Sequence, residues 1–269
     1  MRLLLTLQNR IMKHLLTLLI SLSVAATLTA CESSIKTNTG TEPETNTGLK
    51  PEKNPAKTPV IDSLKPLEKA VLQAELQTQL YCTYDGAYRG MSYPGGDIER
   101  SKGVCTDVLI RSLRAADIDL QQLIHEDMKR DLAPYYARYH TKSIDKNIDH
   151  RRTQNIQTYL TSMHAKLDIS NMSPEDFKIG DIIFWDIAAG HTGIVVESMN
   201  ADKTTHLVVH NIGRGPEYED LLTYWPPIDA YRLQEVTIKK MQADCSYKHD
   251  FKSDPYFTNP GALDHYAKK

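Results

Sequence analysis

Three apolar runs close together constrain this chain more than anything else in it. They are Asp181-Ile182-Ile183-Phe184-Trp185-Asp186, Thr192-Gly193-Ile194-Val195-Val196-Glu197-Ser198 and His206-Leu207-Val208-Val209-His210-Asn211-Ile212. Each has strand length and β-branched or aromatic content, and only short connections separate them. A parallel crossover needs a dozen or more residues, so the three runs are expected to form an antiparallel meander. Ile228 to Leu233 is a candidate fourth strand, and Pro174 to Gly180 is a turn-rich approach to the first.

Upstream, the pattern changes to helical spacing. Pro66 to Leu80 carries Leu67, Val71, Ala74, Leu76 and Leu80, and a helix opening at Cys105 carries Val108, Leu109, Ile110, Leu113 and Ala116 before ending near Asp117. Asp119 suits the cap of a third helix through Leu120, Leu123, Ile124, Met128 and Leu132, which Pro134 is expected to stop. A fourth fits Ile148 to Met163. The Tyr- and Gly-rich stretch from Tyr81 to Asp97 reads as a loop. Helices first and strands after give an α+β fold.

The N-terminus has its own signature. Leu15 to Leu28 is apolar, follows Lys13-His14 and ends in Leu28-Thr29-Ala30-Cys31. The run is too short for a spanning helix and reads as a secretory signal peptide over residues 1–30, with Met12 a more natural start than Met1. Cys31 after Leu-Thr-Ala resembles a bacterial lipobox, in which that cysteine is acylated. Glu32, not aspartate, follows it, so the expected location is the periplasmic face of the outer membrane. Residues 31–63 are dominated by Thr, Asn, Gly, Pro, Glu and Lys and read as a flexible tether. Residues 64–240 are expected to be the folded domain, and 241–269 a peripheral extension.

Charge argues against nucleic acid. The chain carries a formal net charge of −2 and no basic stripe, and cutting off residues 1–30 removes Arg2, Arg10 and Lys13. Metal chemistry has little support, because His125-Glu126-Asp127-Met128 lacks the second histidine of an H-E-x-x-H site and no C-x-x-C occurs. No cofactor motif is present, and nothing in the chain points to a protein partner.

The cysteines are four. With Cys31 as the anchor, Cys82 and Cys245 are candidates for a disulfide, Cys82–Cys105 being the rival pairing. In the first pairing Cys105 is left alone at a helix start, where free N–H groups and the helix dipole favour thiolate. His191 stands at the mouth of the second strand after Ala188-Ala189-Gly190, and His210 near the end of the third. In a hairpin, His210 can orient His191, giving nucleophile, base and orienter in the order Cys105, His191, His210. His206, four residues before His210, would lie roughly 13 Å away. Tyr84 and Asp97, in the loop before the cysteine, are candidates for the wall of a substrate cleft. Arg151 and Arg152 have two readings: solvated arginines, slightly favoured, or a carboxylate-binding fork.

At these residues the chain resembles the papain-like superfamily and, within it, the NlpC-type cell-wall peptidases. The carrying stretches are Gly180-Asp181-Ile182-Ile183-Phe184 and Gly190-His191-Thr192-Gly193-Ile194. The order of cysteine before histidine is similar to this group and not to its circularly permuted relatives, which include acyltransferases. From about Tyr84 to Leu233 the chain also resembles the YijF-like group of exported bacterial proteins of unknown function. Here Gly103-Val104-Cys105-Thr106-Asp107, His125-Glu126-Asp127-Met128, Asn147-Ile148-Asp149-His150-Arg151-Arg152 and His210-Asn211-Ile212-Gly213 carry the likeness. The departure from the NlpC pattern is at the nucleophile, where Asp-Cys-Ser-Gly becomes Val104-Cys105-Thr106-Asp107.

The resemblance implies a papain-like fold with the cysteine helix packed on an antiparallel sheet. It also implies a cysteine hydrolase of amide bonds, and with the expected location its substrate is peptidoglycan stem peptide or cross-link. The Cys105 backbone N–H is expected to help form an oxyanion hole. Two alternatives stand beside this: a non-catalytic cell-wall-binding lipoprotein, and a cysteine acyltransferase or thioesterase on the same scaffold.

Overall fold

The computed structural model describes residues 58–258. The expected signal peptide, Cys31 and the tether up to residue 57 lie outside them, as do residues 259–269. The described residues begin with α1 (Thr58–Ser63) and α2 (Pro66–Gln77). The end of the expected tether is therefore helical, and Ile61 packs against Leu72 and Leu76 of α2. Pro66 opens α2 at a position whose N–H has no helical partner, and Glu68 Oε2 accepts from the Lys65 N–H at 2.8 Å.

The stretch expected as a loop holds one strand of a small parallel pair, β1 (Thr83–Tyr84) with β2 (Lys102–Gly103). It leads directly into α3 (Cys105–Arg114), then α4 (Leu120–Arg130) capped by Asp119, whose carboxylate accepts from the Gln122 N–H. Pro134 does not stop a helix. The break comes earlier, at extended Asp131, and Pro134 sits in the first turn of α5 (Ala133–Tyr139), where its missing N–H costs nothing. The single helix expected over Ile148–Met163 is a 3₁₀ turn, Asp149–Arg151, followed by α6 (Thr153–Ser162). Arg152, with φ −101° and ψ 120°, divides them.

The meander forms as expected: β3 (Ile182–Trp185), β4 (His191–Met199) and β5 (His206–His210). Two further strands complete a five-stranded antiparallel sheet, β6 (Glu217–Glu219) and β7 (Asp229–Tyr231), in the order β6-β5-β4-β3-β7. Ile182, Phe184, Ile194, Val196 and Val209 pack into clusters shared with α2, α3, α4 and α6. Ile183, Trp185, Val195 and Val208 pack instead with Phe177, Leu221, Leu222 and Ala230, where α7 (Leu221–Tyr224) lies. Burial on both faces explains why these strands read as continuous apolar runs without alternation. Gly193 lies opposite His210, and a Cβ there would come 2.5 Å from Val208 Cγ1 and 3.1 Å from His210 Cβ. Among the described residues no helix is long and apolar enough to cross a membrane.

After α8 (Glu235–Ala243) the last described element is α9 (Pro255–Thr258). The segment expected to be peripheral is integrated up to that point. Met241 and Cys245 are buried in the main core, and Tyr256 and Phe257 pack with Ile61, Leu72, Leu76 and Ala115. Phe257 is only 5 % exposed. Phe257→Ala is therefore expected to cost about 3 kcal/mol of stability, read from urea unfolding. A change below about 0.5 kcal/mol, the level of an ordinary surface substitution, would return this segment to the periphery.

Candidate active site

The first turn of α3 places Cys105. Asp107, three residues after the cap position, reaches back to accept from the Val104 N–H at 2.7 Å. Its two oxygens also take both arms of Arg151, Nε at 2.9 Å and Nη2 at 2.8 Å. Arg151 further donates to the carbonyls of Asp85 (3.2 Å) and Ala87 (3.3 Å), and its own carbonyl accepts from the Thr106 hydroxyl at 3.2 Å. The Val-Cys-Thr-Asp variation thus anchors three segments around the cysteine. Cys105 itself is buried, and the backbone N–H groups of Thr192, Thr106 and Cys105 favour its thiolate.

These donors do not produce a resting thiolate. Burial dominates and pushes the Cys105 thiol up to about 11, with the Asp107 carboxylate adding to the effect. The expectation from the helix dipole is overturned because the sulfur is removed from water. Alkylation of Cys105 by iodoacetamide should therefore rise about tenfold per pH unit toward pH ~11, with no plateau near neutrality. A plateau below pH 8 would show that the donors outweigh burial after all.

His191 and His210 are brought together as the hairpin reading requires. His191 Nε2 lies 2.9 Å from His210 Nδ1, with the rings perpendicular and their centroids 5.0 Å apart. Trp185, opposite His191 across the sheet, flanks it with ring centroids 5.9 Å apart. Burial lowers His191 to about 3, assisted by His210, and lowers His210 to about 4, assisted by Arg214. Both rings are accordingly neutral at pH 7. The helix that Cys105 opens packs on β4, and the Nε2 of His191 is engaged by His210 rather than by that sulfur. Gly190, with φ +104°, brings the loop before His191 against α6, where Gln154 Nε2 donates to the Ala189 carbonyl at 3.2 Å. A side chain at Gly190 would overlap Thr153 Oγ1.

The other expected site residues divide. Tyr84 lies half exposed near Cys105, its hydroxyl raised by burial and then by Cys105 and Asp107. Arg152 is partly exposed, with its guanidinium 5.1 Å from the centre of the Tyr139 ring and 3.9 Å from Asp149. Asp97 is not a substrate ligand: both its oxygens are held by Arg111, Nε at 2.9 Å and Nη2 at 3.0 Å. Burial opposes its ionisation, but Arg111 outweighs burial and holds the carboxyl below its usual range. Arg151 is neither solvated nor a free fork, since Asp107 occupies it. The disulfide expectation also fails. Cys82, Cys105 and Cys245 are free, Cys82 beside Thr83 O (3.7 Å) and Asn211 Nδ2 (4.0 Å), Cys245 beside Gln122 Oε1 (3.5 Å).

Sequence reasoning missed Asn211, which donates from Nδ2 to the Gly103 carbonyl at 3.2 Å and so ties β5 to the approach to Cys105. It also missed Glu219, whose Oε2 is 3.1 Å from His210 Nε2. Asn211 directly follows His210, which was the available signal; Glu219 stands opposite Val208 on a short polar strand that offered none. His210, Glu217 and Glu219 are the one group with metal-ligand spacing among the described residues, their ligand atoms within 4.8 Å of one another. Arg214 already bridges the two carboxylates, reaching Glu217 at 3.1 Å and Glu219 at 2.9 Å, and supplies the positive charge there.

A buried cysteine at a helix start, packed on a strand whose histidine pairs with a second histidine, occurs here in a domain of a described family. Residues 71–233 match the family described as "Domain of unknown function (DUF1287)", and the chain belongs to it. It is 39% identical over 182 residues to the "Uncharacterized protein YijF" of Escherichia coli (strain K12), covering 66% of this chain and 88% of that protein. No solved structure is significantly similar to the chain.

Proposed function

We propose that this protein is a cysteine hydrolase of amide bonds, with a papain-like arrangement of the NlpC type, acting on peptidoglycan stem peptides or cross-links. The observation that carries the reading is a buried cysteine opening a helix packed on β4, the strand whose first residue, His191, is buried and paired with His210 at 2.9 Å. A neutral imidazole accepts a proton and a buried thiol holds one, so the chemistry is general-base activation rather than a resting ion pair. The Cys105–His191 contact closes when substrate engages, as catalytic hydrogen bonds commonly tighten only then. Sulfur attacks the carbonyl carbon as its proton passes to His191, and His191 then protonates the departing amine. Water enters by the same base and releases the acid from the thioester. The Cys105 and Thr106 N–H groups support the oxyanion, and Tyr84 and Arg152 are the side chains left to hold substrate.

Location is part of the same proposal. A lipid on Cys31 holds the protein to the periplasmic face of the outer membrane, where peptidoglycan is within reach. Purified muropeptides incubated with the protein test the reading: new amine and carboxyl ends appear with wild type and not with Cys105→Ala. One observation favours a second reading, a cell-wall-binding lipoprotein that keeps the cleft without turnover. The resting sulfur is buried and not bonded to His191. Retention on intact sacculi that survives Cys105→Ala, with no product from either protein, would decide for it.

A further inference from the structure

Glu219 makes an asymmetric contact with the histidine pair. A carboxylate can only accept, so across the 3.1 Å contact His210 Nε2 must be the donor. A neutral ring has one N–H, and His210 Nδ1 is then left as an acceptor. Across the 2.9 Å contact between the rings, His191 Nε2 must in turn donate. Only the lone pair on His191 Nδ1 remains, which is the atom a general base requires. The other orientation would place an N–H on His191 Nδ1 and close it to protons. Glu219 is itself fixed: Arg214 Nη2 donates to Oε1 at 2.9 Å, leaving Oε2 for His210. β6 supplies the register, with His210 opposite Glu217 and Val208 opposite Glu219. His210 has no exposed side-chain surface, while Glu219 is 29 % exposed, so no water-borne donor needs to compete at the inner ring.

We infer that Glu219 is a positioning residue that selects the tautomer of His210 and, through it, leaves His191 Nδ1 as the base. This rests on the reading of Cys105 and His191 as nucleophile and base. The charge has a second consequence: when His191 takes the thiol proton, the nearby carboxylate stabilises the positive pair across His210.

The direct test reads the rings and not the reaction. In protein carrying ¹⁵N-labelled histidine, long-range proton–nitrogen NMR at pH 7 should find both His191 and His210 as neutral Nε2–H tautomers. Glu219→Ala should leave His210 in a mixture of the two tautomers, with an unchanged fold by circular dichroism. Glu219→Gln keeps an acceptor and so keeps the tautomer, but removes the charge. In muropeptide hydrolysis, Glu219→Ala and Glu219→Gln should each lower kcat at least about tenfold with KM little changed. Should the alanine variant not fold, Glu219→Met, which fills the same space without an acceptor, carries the test by its mixed tautomers. Nδ1–H on His210 in wild type, or tautomers unaltered by a folded alanine variant, would overturn the assignment; an unaltered kcat in Glu219→Gln would overturn the charge effect alone. A wild type with the expected tautomers but no hydrolysis would sink the hydrolase reading and leave the tautomer selection standing.

Discussion

Replacing Cys105 by alanine is expected to lower kcat/KM on muropeptides by roughly 10⁴-fold or more, to the background of the assay. Among the described residues no other thiol can substitute. Cys82 is walled off beside Asn211 and Thr83, and Cys245 sits against Gln122. The effect should be confined to chemistry. Removing one sulfur from a buried site costs about 1 kcal/mol of stability, too little to unfold the protein. Product analysis by mass spectrometry, run beside a sacculus-retention assay, separates loss of turnover from loss of binding. Unchanged hydrolysis in the variant would remove Cys105 from the mechanism. Serine in its place is no rescue, because a hydroxyl is far harder for a neutral imidazole to activate than a thiol.

The second large effect is structural. Asp107 and Arg151 form a bidentate pair in which both side chains are almost fully buried, 5 % and 2 % exposed. Arg151→Ala strips Asp107 of its cation and unties the Asp85 and Ala87 carbonyls, and should cost about 3–5 kcal/mol in urea unfolding. Asp107→Ala leaves a buried guanidinium uncompensated and should cost a similar amount. The double variant Asp107→Leu/Arg151→Met is expected to recover much of that loss, since neither charge is then stranded. A single-variant cost below about 1 kcal/mol, the level of exposed ion pairs, would mean that water reaches the pair. Activity should fall in both single variants as well, because the pair holds the turn that aims Cys105.

The residues that could be read in advance are those with a local signal. The strand meander announced itself by apolar content and short connections, and Cys105, His191 and His210 by their places at element ends. Asp119 was legible as a cap because its oxygen serves an N–H only three residues away. What escaped depends on distant partners. Nothing in Asn147–Arg152 discloses that Arg151 is matched by Asp107, 44 positions earlier. Asp97 likewise looks like a loop carboxylate until Arg111 is placed against it. β6 is three residues long, Glu-Tyr-Glu, with no apolar periodicity, so the strand that presents Glu219 was invisible. The helix after Pro134 and the packed tail were misjudged for opposite reasons. Pro134 reads as a stop but opens a turn, and a tail whose scattered Tyr, Pro and Lys read as peripheral packs against α1 and α2.

That tail has a mechanical consequence. Ile61, near the start of the described chain, and Phe257, near its end, share one apolar cluster with Leu72 and Leu76. A pull applied through both ends would therefore load this cluster first. It would peel apart contact by contact before force reached the hydrogen-bonded ladder between β4 and β5. The sheet carrying His191 and His210 would stay intact behind a sacrificial seam, so a strained domain should lose its ends well before it loses its histidine pair.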